Sequence, residues 1–188
     1  TMHDIEHFIY QDRDRADVDF IVPKNFISPH SSDRCLRYLM NNNSFTAFNT
    51  NKADVRFDPA LDRVVFMVHD DEDKIIGGVG RSLNYNILPK WYVYGSKKYP
   101  FICGGGDTAV IVEDCASACA VSDNFAGLAL MGTSLPQEYT TVIKKRFKNV
   151  IVALDRDATT KAFDIAREVG MVAHTRVVML EDDLKYFK

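Results

Sequence analysis

The stretch "AVIVEDCASACAV", Ala109 to Val121, begins as an apolar run and continues as a small-residue segment with helical spacing. Two adjacent acids, Glu113 and Asp114, stand where the two halves meet. An apolar run followed by a helical pattern indicates a buried strand that leads into a helix. The stretch therefore predicts a βα unit with acids at the carboxyl end of its strand.

Three further apolar strands follow at "GLALM", "NVIVALD" and "TRVVML", and the helical patterns lie at about 115–123, 136–147 and 158–169. Near-continuous apolar strands that alternate with helices are typical of a parallel sheet with covered faces. We therefore predict an α/β fold in which residues 105–188 form a βαβαβαβ domain. A smaller mixed α+β domain over residues 1–104 would precede it, with the junction at the glycine run 104–106.

The N-terminal part carries fewer regular patterns. "RVVFMV" (Arg63 to Val68) and "KIIGGVGRSL" (Lys74 to Leu83) are predicted to form a hairpin, because a polar loop joins two strand-like runs. A short helix is expected in "SSDRCLRYLM", where a serine can cap the first turn.

Composition narrows the function classes. With 188 residues and 46% apolar content, the chain can bury a sizeable core. We expect neither a membrane span nor a secretion signal, because no run approaches about 18 apolar residues and "TMHDIEHF" has no signal-peptide pattern. Four cysteines without a CxxC pair and five scattered histidines do not fit zinc spacing. They indicate free thiols and a cytoplasmic location.

Residues 75–106, the acid-free segment, contain no Asp or Glu and combine cations with aromatic rings. Cations can neutralise phosphates while aromatic faces stack on unpaired bases, as in proteins that bind single-stranded nucleic acid. The same composition also fits a solvated basic face over an aromatic core. Its members are Arg81, Tyr85, Lys90, Trp91, Tyr92, Tyr94, Lys97, Lys98, Tyr99 and Phe101.

Acids gather where the predicted strands end. Glu113 and Asp114 end the first strand, and Asp155 and Asp157 end the third in "ALDRDAT". Ligands of an open parallel sheet bind beyond the carboxyl ends of its strands. Clustered carboxylates raise one another's pKa unless a cation neutralises them, and Mg²⁺ or Mn²⁺ prefers such oxygen ligands. Helix capping could explain Asp114 and Asp157 alone, but it accounts poorly for the other two.

This acidic pattern resembles two families. Response-regulator receivers carry an acidic pair after the first strand and a phosphoacceptor aspartate after the third, here Asp155. A receiver needs two more βα units and a late lysine, whereas 33 residues follow Asp155. The count argues against a receiver.

The second family is Toprim, with a glutamate that ends the first strand and a DxD that ends the third, here Glu113 and residues 155–157. "LMGTSLP" (130–136) resembles the glycine-threonine loop after the second Toprim strand of primases. "DRDATTKAFDIA" resembles their "DxDxAGxKAxxxA" segment, with Lys161 on the basic position.

The region upstream resembles replicative primases in particular. "DRVVFMVHDDEDKIIGGVGRSL" is similar to their hairpin "RIIFPIxDxxGxIxGFxGR", with Arg81 at the functional arginine. "LPKWYVYGSKKYPF" is similar to "PKYLNSPETPLF", with Lys90 on its lysine. Topoisomerases and Toprim nucleases lack this element, so the resemblance, over roughly residues 35–185, is to a bacterial or bacteriophage primase core.

The resemblance implies a nucleotidyltransferase that makes short RNA primers on single-stranded DNA from nucleoside triphosphates, with Mg²⁺ or Mn²⁺ held by Glu113, Asp155 and Asp157. It implies phosphate-binding roles for Arg81, Lys90 and Lys161, and base contacts for Trp91. A helicase and a zinc-binding module would be supplied elsewhere, in the host cytoplasm if a phage encodes the chain. Further candidate metal ligands are Asp114, Asp182 and Asp183.

One departure from the family pattern affects the first strand. Bacterial primases carry "EGYMD", whereas here Asp114 stands at the glycine and Ser117 at the last acid. Two alternatives stay open: a Toprim nuclease or topoisomerase-like enzyme, which would use the same metals, and a DNA-binding module without catalysis, which this change favours.

Overall fold

The computed structural model describes residues 19–181 and 184–186, which form two sheets flanked by helices. The first sheet has four antiparallel strands in the order β1-β2-β3-β4. Two short helices precede it. The elements are α1 (Asp33–Asn41), α2 (Phe45–Asn49), β1 (Val55–Asp58), β2 (Arg63–His69), β3 (Ile75–Ser82) and β4 (Trp91–Gly95).

The predicted hairpin and the predicted N-terminal helix are confirmed. β2 pairs with β3 in antiparallel register, and α1 begins after Ser32, whose hydroxyl accepts a hydrogen bond from Cys35 N. Sequence patterns missed β1 and β4. β4 lies inside the acid-free segment, where cations and aromatic rings favour a nucleic-acid surface and hide the strand pattern.

The second sheet has the order β5-β7-β6-β8-β9. β6, β7, β8 and β9 run parallel, and the short β5 joins the edge of β7 in antiparallel direction. The predicted α/β fold with a parallel sheet is confirmed. Its elements are β5 (Ile102–Cys103), β6 (Thr108–Val112), α3 (Cys115–Ala120), β7 (Ala126–Ala129), α4 (Gln137–Arg146), β8 (Asn149–Asp155), α5 (Thr159–Val169) and β9 (His174–Leu180).

One feature of β9 differs from the prediction. Its two faces are not both covered, since Val178 and Met179 are 43% and 48% exposed. β9 is an edge strand that pairs on one side with β8, so fewer elements pack against it.

A large apolar core joins the two sheets. It contains Phe66 and Val79 from the first sheet together with Val110 and Val112 from β6. The predicted domain boundary at 104/105 stays a prediction: β5 precedes the glycine run and already pairs with the second sheet. No helix in residues 19–181 and 184–186 is long and apolar enough to cross a membrane.

α3 packs unusually close to the sheet because its residues are small. Cys115, Ala116, Ala118 and Cys119 are all buried there. Gly127 on β7 faces this helix, and a Cβ at that position would lie 2.1 Å from the carbonyl oxygen of Ala118. This close approach fixes the direction in which the chain leaves β6.

Candidate active site

The acids of the first and third parallel strands lie at the same edge of the second sheet. β6 and β8 are direct neighbours, with Ile111 opposite Val152. Glu113 therefore follows β6 at the edge where Asp155 ends β8. The Glu113 side chain is 7% exposed, and Asp155 is half-buried. The topology thus brings these two carboxylates to one edge, as the strand pattern predicts.

Asp157 lies farther out than the other two acids. It belongs to a single 3-10 turn, Arg156–Ala158, that links β8 to α5, and its side chain is exposed. No hydrogen bond links its side chain to the start of α5, where Ala158 is the N-cap. Capping therefore does not explain this aspartate.

Asp114 has a structural role that the sequence left open. Its Oδ1 accepts a 2.9 Å hydrogen bond from Ser117 N and so caps α3. Its Oδ2 accepts a hydrogen bond from the ammonium of Lys185, and both side chains of this ion pair are buried. Both Asp114 oxygens already have a protein partner, which argues against Asp114 as a metal ligand.

Residues of the loop after β7 connect Glu113 with α5. Met131 N donates a 3.0 Å hydrogen bond to the Glu113 carbonyl oxygen. The neighbouring Gly132 carbonyl accepts a hydrogen bond from the Lys161 ammonium. Met131 has a φ of +52°, a left-handed conformation that is uncommon for a residue with a side chain. The glycine-threonine loop is therefore held on both sides, between β6 and α5.

An open cavity of about 460 Å³ lies beside this loop. Its polar lining includes Thr133, Ser134, Asp157 and Lys161. Hydroxyl, ammonium and carboxylate groups thus surround one space at the carboxyl edge of the sheet. Asp164 and Glu168 also line this cavity, whereas Glu113 and Asp155 do not.

Arg81 reaches toward the space between the sheets from β3. It stands opposite Trp91 in the β3–β4 pair, so both side chains lie on the same face of the first sheet. This face packs on the large apolar core that joins the two sheets, called the shared core below. The guanidinium carbon is 5.6 Å from the centroid of the Trp91 ring and 5.9 Å from that of Tyr38. Among the described residues, Arg81 Nε is buried and has no hydrogen-bond partner. Among the same residues, Arg63 Nε is also buried without a hydrogen-bond partner, so this feature alone does not mark a ligand site.

The structure corrects the prediction that Trp91 contacts bases. The Trp91 side chain is 2% exposed and packs on Phe66. No ring face is open to a base, and the indole instead supports the Arg81 guanidinium. Tyr94, Tyr99 and Phe101 are likewise buried, because strand pairing and the shared core cover them. The core interpretation of these rings is the better one.

Lys90 lies next to Arg81 in the first sheet. It precedes β4, and its carbonyl oxygen accepts a 3.0 Å hydrogen bond from Ser82 N. The Leu88–Pro89 peptide bond before it is cis. Arg63 Nη2 donates a 2.7 Å hydrogen bond to the Pro89 carbonyl oxygen. The loop that presents Lys90 is therefore anchored from the opposite face of the sheet.

The donor set fits a hard divalent cation in its chemistry, since Glu113, Asp155 and Asp157 all offer carboxylate oxygens. Within residues 19–181 and 184–186, however, no group of three or more His, Cys, Asp or Glu side chains converges on a point where they could share one ion. Glu113, Asp155 and Asp157 therefore lie at one edge of the sheet, but the described residues do not form a complete set of ligands around one ion. Asp182 and Asp183, the two later candidates, lie outside the described residues.

Sequence reasoning missed two residues at this site. Tyr38 on α1 lies between the two sheets, close enough for both Arg81 and Asp114 to act on it. Burial raises its pKa well above the usual value, while Arg81 opposes that effect. Lys185 is the second, 71 positions after Asp114. Neither belongs to a motif, and contacts this distant in sequence leave no local signal.

Comparison with known proteins finds similarity to DNA primases. No protein-family model matches the chain. A DNA primase of Clostridium acetobutylicum is 32% identical over 133 residues, which cover 61% of this chain and 22% of that protein. The chain thus spans about a fifth of the length of the curated relative it matches.

Solved structures agree with that likeness. The Aquifex aeolicus primase, with its zinc-binding and RNA polymerase domains, gives a TM-score of 0.58 at 20% identity and covers 85% of this chain and 46% of its own. A DnaG primase catalytic domain bound to single-stranded DNA gives 0.52 at 18% identity, over 83% of this chain and 56% of its own. The chain therefore has the fold of a DnaG-type primase catalytic core, as the sequence resemblance predicts.

Proposed function

We propose that this chain, which has the fold of DnaG-type primase cores, is the catalytic core of a DNA-directed primase that joins nucleoside triphosphates on a single-stranded DNA template. One observation carries the proposal. Glu113 and Asp155 leave adjacent parallel strands at one edge, and Arg81 with an unsatisfied buried donor extends from the other sheet. Metal-binding acids and a phosphate-binding cation are the two elements that nucleotidyl transfer needs.

Glu113, Asp155 and Asp157 would hold divalent cations, either Mg²⁺ or Mn²⁺. When bound, two such ions activate the attacking hydroxyl and stabilise the leaving group. The burial of Glu113 matters here, because a carboxylate out of water interacts more strongly with a cation than an exposed one.

The remaining residues would bind and orient the triphosphate. The 3′ hydroxyl oxygen of the growing strand attacks the α-phosphorus, the bond to the β-phosphate breaks, pyrophosphate leaves, and the hydroxyl proton passes to solvent. Arg81 would donate to phosphate oxygens through its guanidinium, a group suited to bidentate phosphate contacts. Lys161 and the loop at Thr133 would contact the phosphates from the α5 side, and Lys90 would add charge from the β4 side.

The template would lie along the exposed part of the acid-free segment. Trp91 and the other buried rings support that surface from below, whereas Tyr85 is 96% exposed in the loop before Lys90. An exposed ring next to cations is the usual way to hold an unpaired base. Single-stranded DNA bound to a DnaG catalytic domain of this fold supports the assignment. A helicase and a zinc-binding module are the partners that we propose.

The test is primer synthesis by the purified chain on varied single-stranded templates, with nucleoside triphosphates and Mn²⁺, alone and with a zinc module and helicase added. We expect short RNA products that disappear in Glu113→Gln. Glu72→Gln is the matched control, since Glu72 lies in the exposed β2–β3 turn away from the carboxyl edge. Absence of product under every condition would contradict the proposal.

A second candidate is a DNA-binding module without turnover. The observation that favours it is the engagement of Asp114 at the position where primases carry glycine, together with the open arrangement of the acids. Such a module would bind single-stranded DNA with the same affinity in wild type and Glu113→Gln, with or without Mn²⁺. A metal-dependent product from wild type alone separates the primase from it.

A further inference from the structure

The Asp114–Lys185 ion pair lies directly beside Glu113 and is buried from solvent. Asp114 is 5% exposed and Lys185 is also 5% exposed. A buried carboxylate without a cation is strongly unfavourable, so the pair holds together as a unit. At the corner where β6 enters α3, Asp114 is therefore already neutralised by a cation of the protein itself.

Lys185 is positioned by contacts of its own segment. The Asn43 side-chain amide donates a 2.7 Å hydrogen bond to the Lys185 carbonyl oxygen. Leu184 packs against the shared core, and the Lys185 ammonium is 5.3 Å from the centroid of the Tyr186 ring. The ammonium is thus delivered to Asp114 by a docked segment rather than by a loose side chain.

The geometry assigns a specific task to this lysine. The ammonium bound to Asp114 Oδ2 takes the carboxylate oxygen that Asp114 would need in order to bind a divalent cation, since Oδ1 already accepts a hydrogen bond from Ser117 N. We propose that Lys185 is a positioning residue, a built-in counter-cation that keeps Asp114 out of the metal ligand set and leaves Glu113 as the ligand of this corner. The inference rests on the proposed function, in which Glu113 binds a divalent ion.

The test measures Mn²⁺ binding directly, by electron paramagnetic resonance of free Mn²⁺, without nucleotide or DNA. Lys185→Met frees Asp114, so we expect Mn²⁺ to bind at least about tenfold more tightly, since a unit charge close to the ion has been uncovered. The double variant Asp114→Asn with Lys185→Met removes both charges, and its affinity should return to the wild-type value. Lys144→Met, an exposed change on α4 with the same loss of net charge, should bind as wild type does.

A purely structural lysine would give a different result. Lys185→Met would then lose thermal stability but bind Mn²⁺ no more tightly than wild type or Lys144→Met, and the proposal would be overturned. If Lys185→Met unfolds in buffer, Mn²⁺ should restore its fold, because the divalent ion replaces the ammonium. Failure of Mn²⁺ to restore it, with or without a folded double variant, would overturn the proposal as well.

The outcome is separable from that of the primase proposal. A wild-type chain that binds Mn²⁺ but makes no primer would contradict the proposed function alone, because the comparison of Lys185→Met with wild type is made without nucleotide or DNA. A chain that makes primer, with a Lys185→Met variant that binds Mn²⁺ no more tightly than wild type, would overturn the role of Lys185 alone.

Discussion

The Tyr99 hydroxyl donates a 2.6 Å hydrogen bond to Asp71 Oδ1, and this contact ties the β2–β3 turn to the connection between β4 and β5. Lys145 on α4 binds the second oxygen of Asp71 at 3.0 Å. Arg146 Nη1 donates to the Tyr99 oxygen at 3.1 Å. Together these four side chains form the turn–helix latch, which links the two sheets at the side away from the acids.

The first prediction concerns the pH dependence of this latch. The Tyr99 hydrogen bond and the Lys145 contact lower the pKa of Asp71. A lowered pKa in the folded state means that the contribution to stability is complete above the unfolded pKa of about 3.9 and is lost as the pH falls through the folded value. Tyr99→Phe should therefore reduce the free energy of unfolding by about 1 kcal/mol at pH 7, allowing for the exposure of Asp71.

Urea denaturation at pH 7 and at pH 2.5 measures the effect. The gap between wild type and Tyr99→Phe should shrink at the lower pH, because the lowered pKa of Asp71 means that its contribution is lost as the carboxylate takes up a proton. Tyr85→Phe is the control, because that ring is 96% exposed and its hydroxyl is not part of the latch. A gap of equal size at both pH values would show that the charge on Asp71 does not matter.

The second prediction concerns the close packing of α3 on β7. A Cβ at Gly127 would lie 2.1 Å from the Ala118 carbonyl oxygen and 2.5 Å from its Cα, both backbone atoms that cannot rotate away. Gly127→Ala should therefore reduce the free energy of unfolding by about 3 kcal/mol, the upper part of the range for overpacking. Denaturant unfolding provides the measurement.

Gly105→Ala is the matched control for that substitution. A Cβ at Gly105 meets no atom within 4 Å, so the same chemical change should leave the free energy of unfolding within about 0.5 kcal/mol of wild type. Equal effects at the two glycines would mean that α3 can shift away from β7. The direction in which the chain leaves Glu113 would then not depend on this contact.

The second sheet could be predicted because its strands are apolar throughout and its helices lie between them. That alternation permits few topologies, so the carboxyl ends that carry Glu113 and Asp155 follow from the pattern alone. The first sheet was less predictable. Whether Trp91 is exposed depends on a second sheet packing over β4, and the composition of the acid-free segment fits a surface and a core equally well.

The contacts around Asp114 show the other limit of sequence reasoning. An aspartate before a helix indicates a cap, and Ser117 N does bind its first oxygen. The partner of its second oxygen is Lys185, which lies 71 positions later and outside any motif. Long-range ion pairs are set by the packing of whole segments, so the charge balance at the candidate site could not be predicted from local pattern.

The last prediction concerns Arg81, whose guanidinium lies near the rings of Tyr38 and Trp91. Arg81→Lys keeps the charge but loses the planar group that faces both rings and the buried Nε donor. If that donor binds phosphate in the reaction, kcat for primer synthesis should fall roughly 100-fold, as when one preorganised donor is removed from an active site. The free energy of unfolding should change by less than about 1.5 kcal/mol, since the pocket keeps a cation and an aliphatic stem.

Arg37→Lys, an exposed position on α1, is the control for both measurements. A fall in stability without a fall in kcat would assign Arg81 to the packing between the sheets, because the two readouts separate a residue that binds substrate from one that only fills the space above Trp91.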